Sequence, residues 1–159
     1  MHAAVVMSRS LDGWSGQERD LDDVEDLDSL ADELRDDEHP LRLLFIEEDD
    51  EWVGIIRVEP DADPRVFLSD RRALETSELA ERLFADALPI TVPSDDADDE
   101  ETARPNAEPV GEDDVLADQG TPGDVLVQLC ASEGMLPADV ISELCERAGC
   151  TDALDQVRH

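Results

Sequence analysis

The chain has 159 residues, 40% of them hydrophobic and 35% charged, a balance that fits a globular protein with one modest core and an appendage and leaves no room for two full-sized cores. Its 44 acids face 12 bases, every one an arginine, and the formal net charge of −32 repels phosphate backbones, which argues against direct binding of tRNA or DNA. The same field attracts a basic partner, although a biased genome composition or salt adaptation would leave the same charge.

Aromatic residues make up only 3% of the chain, so Leu, Val, Ile and Ala must fill the interior. Residues 1–7 lack a basic leader and a long apolar run, and no window approaches the length of a membrane span, so neither a targeting segment nor a membrane role is expected. Cys130, Cys145 and Cys150 are odd in number and sit late in the chain, which fits a reducing cytoplasm better than a disulfide framework.

In chain order, residues 2–8 and 11–18 read as an opening hairpin with Trp14 as an inward anchor. Leu21, Val24, Leu27, Leu30, Ala31 and Leu34 recur at spacings of three and four and predict a helix running to about Asp36, stopped by His39-Pro40. Leu41–Ile46 and Trp52–Val58 are β-rich runs around the acidic turn Glu47–Glu51, and Arg65–Ser69 adds a third strand, which together make an antiparallel meander. A helix from about Ser77 to Ala87 carries Leu79, Leu83, Phe84 and Leu88 on one side and can cover a sheet face. The stretch 94–111, with Asp95 to Glu101 and then Pro105 and Pro109, has little to bury and reads as a solvated linker. Beyond it, Thr121 reads as an N-cap with Pro122 at the first helical position, and Leu126, Leu129, Cys130 and Val125 form an apolar face. Leu136-Pro137-Ala138-Asp139 opens another helix, with Val140, Ile141, Leu144, Cys145 and Ala148 at helical spacing, ended by Gly149. The expected fold is therefore α+β: a small antiparallel sheet with covering helices (ββαβββα) over residues 1–93, an acidic disordered linker over 94–111, and a short all-helical module over 112–159.

No catalytic, cofactor or metal residues are expected. A zinc deaminase needs H-x-E and P-C-x-x-C, but His39 precedes Pro40-Leu41 and the cysteines are too widely spaced for a paired-thiolate grip, so Cys130 and Cys145 read as small core residues of helices and Cys150 as a packing or partly exposed thiol rather than a nucleophile. Asp22-Asp23-Val24-Glu25-Asp26 matches a magnesium-diphosphate pattern but reads better as a solvated helix start, and the acidic runs lack the glycine and spacing of a calcium loop. Ser69-Asp70 has no nearby His and reads as a turn and cap. Met135 and Leu136, an apolar pair after Gly134, are the candidate partner contacts, weighed against a role in sealing the helical segment.

The run Arg65-Val66-Phe67-Leu68-Ser69-Asp70, the acidic break, and the stretch from Val115-Leu116-Ala117-Asp118 through Gly134-Met135-Leu136-Pro137-Ala138-Asp139 to Arg147-Ala148-Gly149 resemble the actinobacterial tRNA adenosine deaminase-associated protein family. The resemblance covers most of residues 41–157 and implies association with the enzyme that makes wobble inosine in tRNA, with no functional residues to carry over. Three functions follow as expectations: a non-catalytic accessory or regulatory protein partnered with that deaminase, an acidic nucleic-acid mimic competing for a tRNA-binding surface, or an enzyme with an unrecognised carboxylate site. An uncovered edge of so small a sheet would also admit a homodimer.

Overall fold

Two apolar runs, Leu41–Glu48 (β3) and Trp52–Val58 (β4), form the middle of the molecule. The structure, a computed structural model, describes residues 2–11, 13–21, 23–35, 41–48, 51–60, 63–70, 73–85, 109–131 and 136–158. Around β3 and β4 are arranged β1 (His2–Ser10), β2 (Gly13–Glu18), β5 (Arg65–Leu68) and β6 (Val110–Gly111), giving one six-stranded antiparallel sheet in the order β2-β1-β3-β4-β5-β6. The opening hairpin closes at Ser10↔Gly13, with Leu11 in its turn rather than in the strand, and Gly13 takes the positive φ of 123° that its place after a tight turn requires.

Both faces of the central strands are buried. On one face Ala4, Val6, Leu44, Ile46, Trp52, Ile56, Val58, Val66 and Leu68 meet α1 (Leu27–Leu34), α2 (Ala73–Thr76) and α3 (Glu78–Phe84). Residues one position along each strand, among them Val5, Met7, Leu43, Phe45, Val53, Ile55 and Phe67, meet the C-terminal helices α4 (Gly123–Ala131), α5 (Pro137–Ala148) and α6 (Thr151–Arg158). The α+β class with covering helices is as the sequence predicts, and the helical segment docks on the chain's own sheet.

The first helix begins later than its apolar spacing predicts. Asp26 adopts extended backbone and its carboxylate accepts the Ser29 N–H at 2.8 Å, so the helix starts at Leu27, while Leu21 and Val24 are buried in the approach to it. Arg82 of α3 donates to the Val24 carbonyl at 3.1 Å and pins that approach. The helix predicted from about Ser77 begins there, as α3: Ser77 caps it by accepting Ala80 N–H at 3.2 Å, and α2 precedes it as one separate, unpredicted turn. Residues 86–88 lie outside the described residues. Packing in this layer is tight at Gly54, where a Cβ would sit 2.5 Å from the Phe84 ring, itself edge-on to Trp52 at 6.1 Å.

The second layer is tied down by arginines. Arg57, 6% exposed on an otherwise apolar strand, donates to Asp118 Oδ1 and Oδ2 at 2.6 and 2.8 Å, to the Val115 carbonyl at 2.8 Å and to Glu59 at 3.1 Å. Its register neighbour Arg65 holds Glu112 at 2.8 Å and Asp114 at 2.5 Å, and Arg9, stacked over Trp14, donates to Gln119 at 3.1 Å. Segment 112–119 is thereby fastened across the end of the sheet. Most of the predicted linker lies outside the described residues, but its last two residues, Val110–Gly111, pair with β5. Thr121 is not the cap expected of it: its Oγ1 is buried without a hydrogen-bond partner, and Pro122 O accepts the Val125 and Leu126 amides instead. Gly149 ends α5 as predicted, at φ 87°, in a Schellman turn closed by Cys150 N–H to Cys145 O at 2.8 Å.

Two outcomes follow. Gly54→Ala should destabilise the fold by about 1–3 kcal/mol in denaturant unfolding through overpacking against Phe84 and Trp52, with part of the loss recovered in a Gly54→Ala/Phe84→Leu double variant. Hydrogen bonds from Arg57 hold the Asp118 carboxyl below its ordinary 3.8, so Asp118 contributes stability that is full above that value and is lost as pH falls through its lowered pKa. Asp118→Asn should therefore cost about 1 kcal/mol at neutral pH, discounted for the solvent exposure of the carboxylate, and the gap to wild type in thermal melts should close as pH drops below the ordinary carboxylate range.

Candidate functional site

Of the two residues singled out as partner contacts, Met135 lies outside the described residues and Leu136 is 50% exposed. Leu136 stands at the N-cap position of α5, held by its own backbone: its N–H reaches Asp139 Oδ2 at 3.3 Å, and its carbonyl accepts the Asp139 and Val140 amides. The capping is thus done by the backbone, and half of the side chain's surface faces solvent. Beside it in the chain, α4 is apolar around most of its girth, because only Asp124 and Gln128 interrupt Val125, Leu126, Val127, Leu129 and Cys130. Leu126 is buried, whereas Val125, Val127, Leu129 and Cys130 are half-exposed. Burial pushes the Cys130 thiol up to about 12, so it is a packing group rather than a nucleophile.

A second feature went unmarked in the sequence. Glu51, Trp52, Asp70, Ala73 and Thr76 line a cleft of about 370 Å³ at the β3–β4 turn, on the face covered by α1–α3. The indole N–H of Trp52 donates to Glu48 at 3.0 Å, and the Ser77 hydroxyl donates to the same carboxylate oxygen, which fixes the cleft wall. The available signal was one of only two tryptophans next to an acidic turn, but the approach of Asp70 and α2 is a tertiary fact.

The other residues weighed for chemistry have structural positions. Ser69 Oγ accepts the Val53 amide at 2.8 Å and the Asp70 carbonyl receives Ala73 N–H at 3.0 Å, so this pair ends β5 and opens α2. In the acidic run near residue 22, Asp26 caps α1 and Asp23 is exposed and paired with Arg19 at 3.4 Å. Cys145 and Cys150 come together as the apolar contact of the Schellman turn, and a hydrogen bond from Cys145 draws the Cys150 thiol below its ordinary pKa. Among the described residues no group of three or more His, Cys, Asp or Glu is placed to hold a metal ion, and no helix is long and apolar enough to cross a membrane.

No curated protein and no solved structure matches the chain. A family model does, over residues 2–151, a span that takes in the sheet, helices α1 to α5 and the arginine-held crossover. The chain belongs to the Rv3753c-like tRNA adenosine deaminase-associated protein family.

Proposed function

We propose that this chain is a non-catalytic, cytoplasmic accessory or regulatory protein that binds the tRNA adenosine deaminase directly and acts in the wobble-inosine modification of tRNA. The family name supports the association with that enzyme. The observation that carries a protein-binding role is the surface itself: a chain of net charge −32 presents the exposed apolar Leu136, with the half-buried apolar flank of α4 before it in the chain. Charge of this magnitude steers a basic partner into contact, and an apolar anchor within it holds the complex once water is excluded. The carboxylates with displaced pKa values also point away from acid–base chemistry: Asp26 is lowered by its cap bonds to Ser29, and Asp118 by Arg57, the reverse of an acid kept protonated for proton transfer.

Titration of the purified deaminase with this protein, at low and physiological salt and with and without tRNA, tests the reading. Saturable binding that weakens with salt is expected, and Leu136→Asp should weaken it about tenfold without lowering the melting temperature, since Asp is well tolerated at an N-cap. Loss of tRNA binding by the deaminase in the same titration would replace the accessory role with that of a nucleic-acid mimic, to which the acidic surface is equally suited. Absence of binding at both salt concentrations would overturn the proposal.

A further inference from the structure

The two edges of the sheet are treated differently. β6 is two residues long, which is one way a fold blunts an edge. β2 closes the other edge with six residues in unbroken register, without proline or bulge, and its one charge, Glu18, comes last. Alternation fixes which of its backbone groups are open. Arg19 N–H bonds Ala4 O at 3.0 Å, and Gly13 closes the hairpin, so the odd residues of β2 turn toward β1 and Trp14, Gly16 and Glu18 turn their N–H and C=O outward. Among the described residues nothing pairs with them.

Charge selects the occupant. Over most of its surface a chain of net charge −32 repels its own copy. The nine residues of β1 and six of β2 hold Glu18 as their one carboxylate, offset by Arg9, so the strands themselves set little like charge against a second copy. We propose that β2 is the interface of a homodimer, in which two copies pair antiparallel about a two-fold axis at Gly16 and their sheets continue into one. In that register Trp14 stands opposite Glu18 of the second copy and Ser15 opposite Gln17 of the second copy. Leu11, 103% exposed at the hairpin tip, then falls beside residues 19–21 of the other chain, which gives this bare side chain a place to be covered.

Ser15 and Gln17 are both exposed and face away from α6, so charges there leave the monomer intact. Sedimentation equilibrium of the full chain should give twice the 17.5 kDa chain mass, with association tightened by added salt as net repulsion is screened. Ser15→Glu/Gln17→Glu sets carboxylates directly opposite one another and should weaken dimerisation at least tenfold at unchanged circular dichroism, and mixing it with Ser15→Lys/Gln17→Lys should restore a dimer. A wild-type monomer at every concentration and salt, or a Ser15→Glu/Gln17→Glu dimer as tight as wild type, would overturn the proposal. The result stands apart from deaminase binding, because the Leu136 surface contributes nothing to this edge and the two associations respond to salt in opposite directions.

Discussion

An antiparallel sheet ordinarily keeps one face for water, and the central strands of this one have none to spare. All seven residues of β4 are buried, and β3 exposes nothing fully. Two successive β-strand residues point to opposite faces, so a continuous apolar run creates demand for cover on both sides at once. The helices between β1 and residue 85 satisfy one face, and the rest of the chain is obliged to return and satisfy the other. The C-terminal helices are individually short, and a free helix of eight to twelve residues is marginal in water. Their stability must come from Leu126, Ile141, Leu144 and Leu154 filling the space above Phe45, Ile55 and Phe67.

That return has to bring a strongly acidic segment onto the sheet, and it is here that the scarce positive charge is spent. Arg57 and Arg65 grip Asp118, Glu112 and Asp114, while Arg9 takes Gln119. On the opposite face Arg42 donates to Leu34 O at 3.2 Å and Arg82 to Val24 O. In each case the guanidinium joins segments far apart in sequence or fastens the end of a helix, a use that suits its fork of donors better than an ammonium would. With several of its 12 bases committed to these internal ties, the molecule presents to a partner a surface dominated by carboxylates. Each arginine that holds the crossover neutralises the carboxylates it grips and leaves the remaining acids of the surface without a counter-charge.

Much of this was legible in the sequence because it rests on local periodicity. The β3–β4 hairpin, the strand at Arg65, the helix opened by Pro137 and its stop at Gly149 each announce themselves by apolar spacing or by a residue whose backbone demands are specific. Leu21 and Val24 misled because burial, not helicity, sets their spacing; Asp26 starts the helix by capping it. Thr121 has the composition of a cap and the wrong placement, its hydroxyl buried without a partner. The two-sided cover was visible in principle, since Leu41–Ile46 shows no alternation, yet which segment supplies the second layer depends on pairings such as Arg57–Asp118, 61 residues apart. The lone Arg57 in an apolar strand was the available sign, because a charge there must find a partner. The Trp52 cleft left a fainter one.

The same electrostatics divides the outer surface by the kind of association each part can support. Over the acidic surface as a whole, attraction favours a basic protein and disfavours both nucleic acid and a second copy, and Leu136 with α4 offers that partner an apolar anchor. Where carboxylates are sparse, along β1 and β2, steering is absent and the outward-facing amides and carbonyls of Trp14, Gly16 and Glu18 are the dominant open groups. Unpaired backbone asks for backbone, and a like chain can supply it. Because the β2 edge and Leu136 differ in this chemistry, occupation of one need not compete with occupation of the other, and the covering helices that fill the core are what leave both available.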